Sequence, residues 1–140
     1  MIKITKESSV SIDDVLHLYQ AVGWTNYTNQ PQMLEQALSH SLATYLARDG
    51  EEIVGLVRLV GDGFSSVFVQ DLIVLPSYQR QGIGSNLMKE ALADYKDAYQ
   101  IQLATEQTEK TLGFYRSLGF ETLSTYDCTG MIWVDRKKFK

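Results

Sequence analysis

The chain has 140 residues, 44% of them hydrophobic and 21% charged, which suits one globular domain over residues 1–140 with a sizeable core. A net charge of −4 with thinly spread basic residues argues against a nucleic-acid partner, which wants a clustered basic face. No unbroken apolar run exceeds four residues (Leu72 to Leu75), far below the roughly 20 that a membrane span needs, so no membrane partner is expected.

No basic segment followed by an apolar one marks the start as a secretion signal. The lone Cys128 cannot form an internal disulfide and reads as a small semi-buried residue, so the expected location is cytoplasmic. The one basic cluster, Arg136-Lys137-Lys138 with Lys140, reads as a solvated tail.

Ile2 to Thr5 alternates as a short strand. Ser11-Ile12-Asp13-Asp14 resembles a capping box, and Val15, Leu16, Leu18, Tyr19 and Val22 follow at helical spacing up to Gly23. Trp24 to Gln30 reads as a polar-aromatic loop, and Pro31 suits the first turn of a second helix bearing Met33, Leu34, Ala37 and Leu38. Thr44 to Arg48, the turn Asp49-Gly50 and Glu52 to Val60 form a hairpin pattern. After the turn at Gly61-Asp62-Gly63, Val67 to Leu75 is the central strand. A third helix places Ile83, Leu87, Met88, Ala91, Leu92 and Tyr95 on one stripe. Gln100 to Ala104 is a strand, Glu109 to Leu118 a helix ended by Gly119, and Phe120 to Tyr126 and Met131 to Val134 form a final strand pair. This order indicates an α/β or α+β mixed sheet.

Gln79-Arg80-Gln81-Gly82-Ile83-Gly84 stands between the central strand and the third helix. Such a loop points backbone N–H groups outward at a helix N-terminus, where the macrodipole adds roughly half a positive charge. Gly82 and Gly84, lacking Cβ, let a bulky polyphosphate approach the main chain. A Walker loop is excluded because no Lys-Ser or Lys-Thr follows a glycine, and a dinucleotide fingerprint because Leu87 holds the third glycine position. The pattern present is Gln/Arg-x-x-Gly-x-Gly/Ala. A second pattern, Phe114-Tyr115-Arg116-Ser117-Leu118-Gly119-Phe120, lies about 30 residues further on, beyond one helix and one strand.

Together these motifs and the element order resemble the GNAT superfamily of N-acetyltransferases over nearly the whole chain. The resemblance implies a mixed, mostly antiparallel central sheet of about seven strands flanked by four helices and splayed at the central strand. It implies that Gln79, Arg80, Gln81, Gly82, Ile83 and Gly84, with the N–H of Ser85, hold the pyrophosphate of acetyl-coenzyme A. Leu72, Ile73 and Val74 would offer backbone groups to pantetheine or the thioester. Thr108 and Phe114 would contact the cofactor beside Tyr115, whose phenol, of ordinary pKa about 10, would protonate a departing thiolate of pKa about 8.5. Thr108 and Thr111 stand where many members carry asparagine and alanine. Trp24 and Tyr27 would line an acceptor pocket or serve as packing anchors.

Asp71 is the carboxylate nearest the implied reaction centre. Alternation puts it with Ile73 on one face and Gln70 with Leu72 on the other. A carboxylate of ordinary pKa near 3.9 is a weak base unless burial raises it. General base, binder of an ammonium and buried structural acid all remain open. Arg58 is expected to pair with a neighbouring acid, and His17 and His40 to be solvated without partners at metal spacing, so no metal site is expected.

The implied function is transfer of an acetyl group from acetyl-CoA to a primary amine by direct attack in a ternary complex, since no cysteine or serine is placed as an acyl carrier. A small-molecule amine is favoured, because no extra segment docks a protein, and the C-terminal strand edge offers a route to a homodimer. The alternative is an acyl-CoA-binding sensor or interaction module without turnover.

Overall fold

The computed structural model describes residues 1–135, so the basic tail at Arg136-Lys137-Lys138 and Lys140 lies outside the described residues. The chain divides into two compact units, Met1–Ala104 and Thr105–Lys140.

The first unit is a five-stranded sheet in the order β1 (Ile2–Glu7), β2 (Ala43–Asp49), β3 (Glu52–Gly61), β4 (Ser66–Val74), β5 (Gln100–Leu103). The first four strands run antiparallel, and β5 joins β4 in parallel. Parallel pairing requires a crossover, and α4 (Ile83–Asp94) supplies it. Before β2 come α1 (Ile12–Ala21), the one-turn α2 (Thr25–Thr28) and α3 (Pro31–Ser39).

Both central strands are buried along most of their length, as a sheet covered on two faces requires. Leu46, Leu56 and Ile73 are register partners across β2, β3 and β4, and they pack with Val15, Leu18, Tyr19, Leu34 and Leu38 of α1 and α3. Arg58 lies two residues beyond Leu56 and faces Asp71 across the β3–β4 ladder, so period-2 alternation carries this charged pair onto the same helix-covered face. Helix α4 packs against β2, β3 and β4. There Gly55 makes room for it: a Cβ at that position would stand 3.2 Å from the Leu87 side chain and 3.2 Å from the Ile73 carbonyl oxygen.

Two irregularities of β4 position the site. Arg58 pairs with Asp71 and Leu59 with Val69, so Gln70 is an extra, bulged residue. The ladder with β5 ends at Val69–Leu103, while β4 continues to Val74 with no strand on that edge among the described residues. This is the expected splay at the central strand.

The second unit holds α5 (Glu109–Ser117), capped by Thr108, and a 3₁₀ turn over Leu123–Tyr126.

Several expectations are corrected. The sheet has five strands among the described residues, not about seven, and five helices are present because α2 forms within the segment expected as loop. The missing strands are Phe120–Tyr126 and Met131–Val134. In the first, the Thr122 hydroxyl bonds those of Ser124 and Thr125, and Thr125 and Asp127 donate three residues back, so local turns take the groups a ladder would use. In the second, Met131, Ile132, Trp133 and Val134 are all exposed and have no ladder partner among the described residues. Cys128 is exposed rather than semi-buried. His17 is tied down rather than merely solvated, its Nε2 donating to the Ile53 carbonyl at 2.7 Å.

Candidate active site

The Gln79–Gly84 loop leaves β4 through a 3₁₀ turn, Pro76–Tyr78. The Tyr78 hydroxyl donates to Asp49 at 2.7 Å, pinning that turn to the β2–β3 hairpin; this carboxylate acceptor pushes the Tyr78 phenol up to about 12. Gln79 donates from Nε2 to the Val74 carbonyl at 3.1 Å, so its side chain ties the loop to the strand end. Arg80 and Gly82 both adopt left-handed backbone, with φ of 66° and 80°. For Gly82 this is the conformation only glycine takes without cost, and a Cβ there would point into open space.

Gly82 is the N-cap of α4, and no side chain caps this helix. Asn86 is the first residue to donate back, to the Gly82 carbonyl. The N–H groups of Ile83, Gly84 and Ser85 therefore have no partner among the described residues, as the first turn of an uncapped helix dictates. Gln79, Arg80, Gln81 and Gly82 are exposed, and the Arg80 guanidinium has no ion-pair partner among the described residues. Ile83 is buried and anchors the helix start in the core. Leu72 and Val74 are half-buried and Ile73 is buried, on the stretch of β4 that runs past β5.

Asp71 is 3% exposed and surrounded by donors. Its Oδ2 accepts from Arg58 Nε at 2.7 Å and from the Tyr19 hydroxyl at 2.8 Å, and its Oδ1 accepts from the Tyr27 hydroxyl at 3.0 Å. Arg58 is equally buried and extends its other nitrogens to the Ser41 hydroxyl and the Tyr27 oxygen, each at 3.2 Å. Burial alone would lower the guanidinium pKa, yet the charge and hydrogen bond of Asp71, with smaller contributions from Tyr19 and Tyr27, together outweigh it and the net shift is upward. Burial, then the Asp71 charge, pushes the phenols of Tyr19 and Tyr27 up, keeping both as neutral donors. Arg58 thus pairs with the neighbouring acid, as expected. Trp24 and Tyr27 join Tyr19 in a three-ring cluster with centroids 5.0 to 6.3 Å apart.

In the second unit, the Thr108 hydroxyl accepts from the Thr111 N–H at 3.2 Å and donates to the Thr111 hydroxyl at 2.9 Å. The two threonines that depart from the family pattern thus build the N-cap of α5 between them. Tyr115 lies edge-on to Phe114 and Phe120, with centroids at 5.0 and 5.9 Å, and burial pushes its phenol pKa up.

Sequence reasoning missed Tyr19, Ser41, Gln70 and the tethering role of Gln79. Tyr19 sits on the apolar stripe of α1 and reads as plain core; its hydroxyl partner is 52 residues away. A cleft of about 300 Å³, bordered by Lys6, Leu38, Ser41 and Thr44, includes none of the residues expected to bind cofactor or acceptor. Among the described residues no group of three or more His, Cys, Asp or Glu side chains is arranged to hold a metal, and no helix is long and apolar enough to cross a membrane.

A family model described as an acetyltransferase (GNAT) domain matches residues 40–122, a span that includes both motifs. Serotonin N-acetyltransferase 2, chloroplastic, of Oryza sativa subsp. japonica is 33% identical over 65% of this chain and 48% of its own length. GCN5-related N-acetyltransferase 1, chloroplastic, of Arabidopsis thaliana is 28% identical over 94% of this chain and 66% of its own length. The chain thus spans about half to two thirds of these curated relatives. A solved structure of a GNAT-family acetyltransferase from Streptococcus pneumoniae superposes with a TM-score of 0.90, at 75% identity over 97% of this chain and 99% of that one.

Proposed function

This chain belongs to the GNAT acetyltransferase family, and from that premise we propose that it transfers an acetyl group from acetyl-CoA to a primary amine, a small molecule rather than a protein, by direct attack in a ternary complex. On this reading the units Met1–Ala104 and Thr105–Lys140 serve one acetyltransferase domain, in keeping with a family match that runs through the boundary between them.

The observation that carries the reading is the start of α4. Unpartnered N–H groups at Ile83, Gly84 and Ser85 and the left-handed, open-sided Gly82 follow a strand that outruns its neighbour. These features fit a pyrophosphate with an attached chain: a capped helix or a side chain at residue 82 would occupy the same space.

Acetyl-CoA supplies the activated thioester. The backbone N–H groups of the first turn of α4, with Arg80, hold its phosphates, and the backbone of Leu72, Ile73 and Val74 lines the pantetheine path and donates toward the carbonyl oxygen where negative charge develops. Gln79 keeps the loop in place from its bond to Val74, and Gln81 extends the exposed rim. Tyr115, a neutral phenol, gives a proton to the departing thiolate, and Phe114 and the Thr108 cap hold its helix. The amine attacks in its neutral form, its ammonium proton having passed to solvent. As the C–S bond breaks the nitrogen loses a second proton to solvent, and solvent returns one to the Tyr115 phenolate. On this reading the proton does not go to Asp71, whose buried carboxylate is paired with Arg58 and held by Tyr19 and Tyr27.

Calorimetric titration with acetyl-CoA tests the reading. The wild-type protein should bind, and Gly82→Glu, shown to be folded by its thermal transition, should not. Tyr115→Phe should keep the wild-type Kd while kcat for thiol release falls by about 10²-fold or more. Absence of binding by the wild-type protein would reject the proposed activity.

A further inference from the structure

Helix α2 is a single turn of four residues with no buried residue and no side-chain cap. Four residues cannot sustain a helix in water, so its place must come from tertiary contacts. The polar part of those contacts converges on one atom, the Tyr27 hydroxyl oxygen. It donates to Asp71 Oδ1 and accepts from Arg58 Nη2 at 3.2 Å and from Gln70 Nε2 at 3.4 Å. A phenol has one proton and two lone pairs, so this oxygen has no capacity left for a ligand. What Tyr27 can offer an acceptor is its ring.

Arg58 is the hub of this arrangement. Its planar fork reaches Asp71 on β4, Ser41 beyond α3 and Tyr27 on α2, and the Ser41 hydroxyl passes the link on to the Ala37 carbonyl at 2.7 Å. A buried ion pair gives little stability over apolar residues of similar volume, whereas a guanidinium fixes three bond directions at once. We infer that Arg58 is a positioning residue for the amine acceptor: acting through Asp71 and Tyr27, it sets the Trp24–Tyr27 aromatic surface beside the stretch of β4 that runs past β5. This rests on the proposed acetyl transfer, which places the acceptor against that segment.

The test uses the double variant Arg58→Met/Asp71→Leu, which removes both charges together, with Arg58→Lys as the conservative partner and Arg48→Met, which breaks the Glu7 pair at the other end of the sheet, as control. Tryptamine and spermidine serve as acceptor probes, and 5-fluorotryptophan reports on Trp24, its signal assigned against Trp133→Phe. In the double variant the Trp24 resonance should move while that of Trp133 stays. Kd for acetyl-CoA should remain within twofold of wild type, and KM for the amine should rise at least tenfold with kcat changed less than threefold. Arg58→Lys should fall between, and Arg48→Met should match wild type.

An unmoved Trp24 resonance, or an unchanged amine KM in a folded double variant, overturns the inference. If the double variant does not fold, Tyr27→Phe carries the same readouts, since it leaves the Arg58–Asp71 pair intact and cuts its link to α2. No turnover of either probe by wild-type protein that binds acetyl-CoA counts against the proposed acceptor class, and the Trp24 resonance then decides the positioning role by itself.

Discussion

Strand β4 presents two polar regions of opposite character. At Asp71 every polar atom is spoken for: three donors converge on one carboxylate, and no buried side-chain nitrogen or oxygen among the described residues lacks a partner. A few residues past its C-terminal end, the loop into α4 is exposed and its first-turn N–H groups have no acceptor among the described residues. A saturated buried cluster specifies geometry, because any ligand entering it must first break bonds made in a low dielectric. An open helix start invites a ligand, because water is all that an anion has to displace. The contrast separates a surface open to a ligand from a cluster that holds the protein around it.

The largest effect expected from breaking this contrast is at Asp71. Replacing it with alanine strands the buried Arg58 charge and should cost about 3–5 kcal/mol in urea-unfolding stability. A loss below about 1 kcal/mol would mean that water reaches the cluster.

Next comes Tyr19. Tyr19→Phe removes one of the three donors and should cost about 1–3 kcal/mol. The same residue sets an alkaline signature. Its folded pKa lies above the unfolded value, so its stabilisation is complete below about pH 10 and is lost as pH rises toward the folded value. Tyr27 shifts the same way. Thermal unfolding followed from pH 8 to 11 should show Tm falling at the alkaline end, with a shallower fall in Tyr19→Phe.

Gly82→Ala probes the open region without adding charge. Forcing a Cβ into left-handed backbone should cost about 1–2 kcal/mol, measured by thermal unfolding. Since that Cβ meets nothing within 4 Å among the described residues, a weakened Kd for acetyl-CoA would report crowding of the ligand itself. The smallest effect is at Gln79. Removing its bond to the Val74 carbonyl should cost about 0.5–1.5 kcal/mol at most and raise Kd by a few-fold through a looser loop.

Much of the fold was legible because it rests on local rules. Ser11 caps α1 through its hydroxyl, Pro31 opens α3, the first hairpin turns at Gly50-Glu51, one residue beyond the expected Asp49-Gly50, and Gly119 follows α5 with φ of 99°. Alternation put Asp71 with Ile73, and the burial of β4 agrees. The C-terminal strands were misread because alternation states which face a strand would show, not whether a partner exists for its edge. Segment 24–30 was misread because a one-turn helix leaves no periodicity to detect.

Sequence by itself determined the family, through two motifs and the order of the elements. It also determined the strand–loop–helix setting of Gly82 and the end of α5 before Gly119, since each of these two depends on residues within a few positions of one another. Only the tertiary structure decided what Asp71 and Arg58 touch. Their partners Tyr19, Tyr27 and Ser41 lie 17 to 52 residues away in the chain, and a hydrogen bond has no signature in the sequence until folding brings its two ends within about 3 Å.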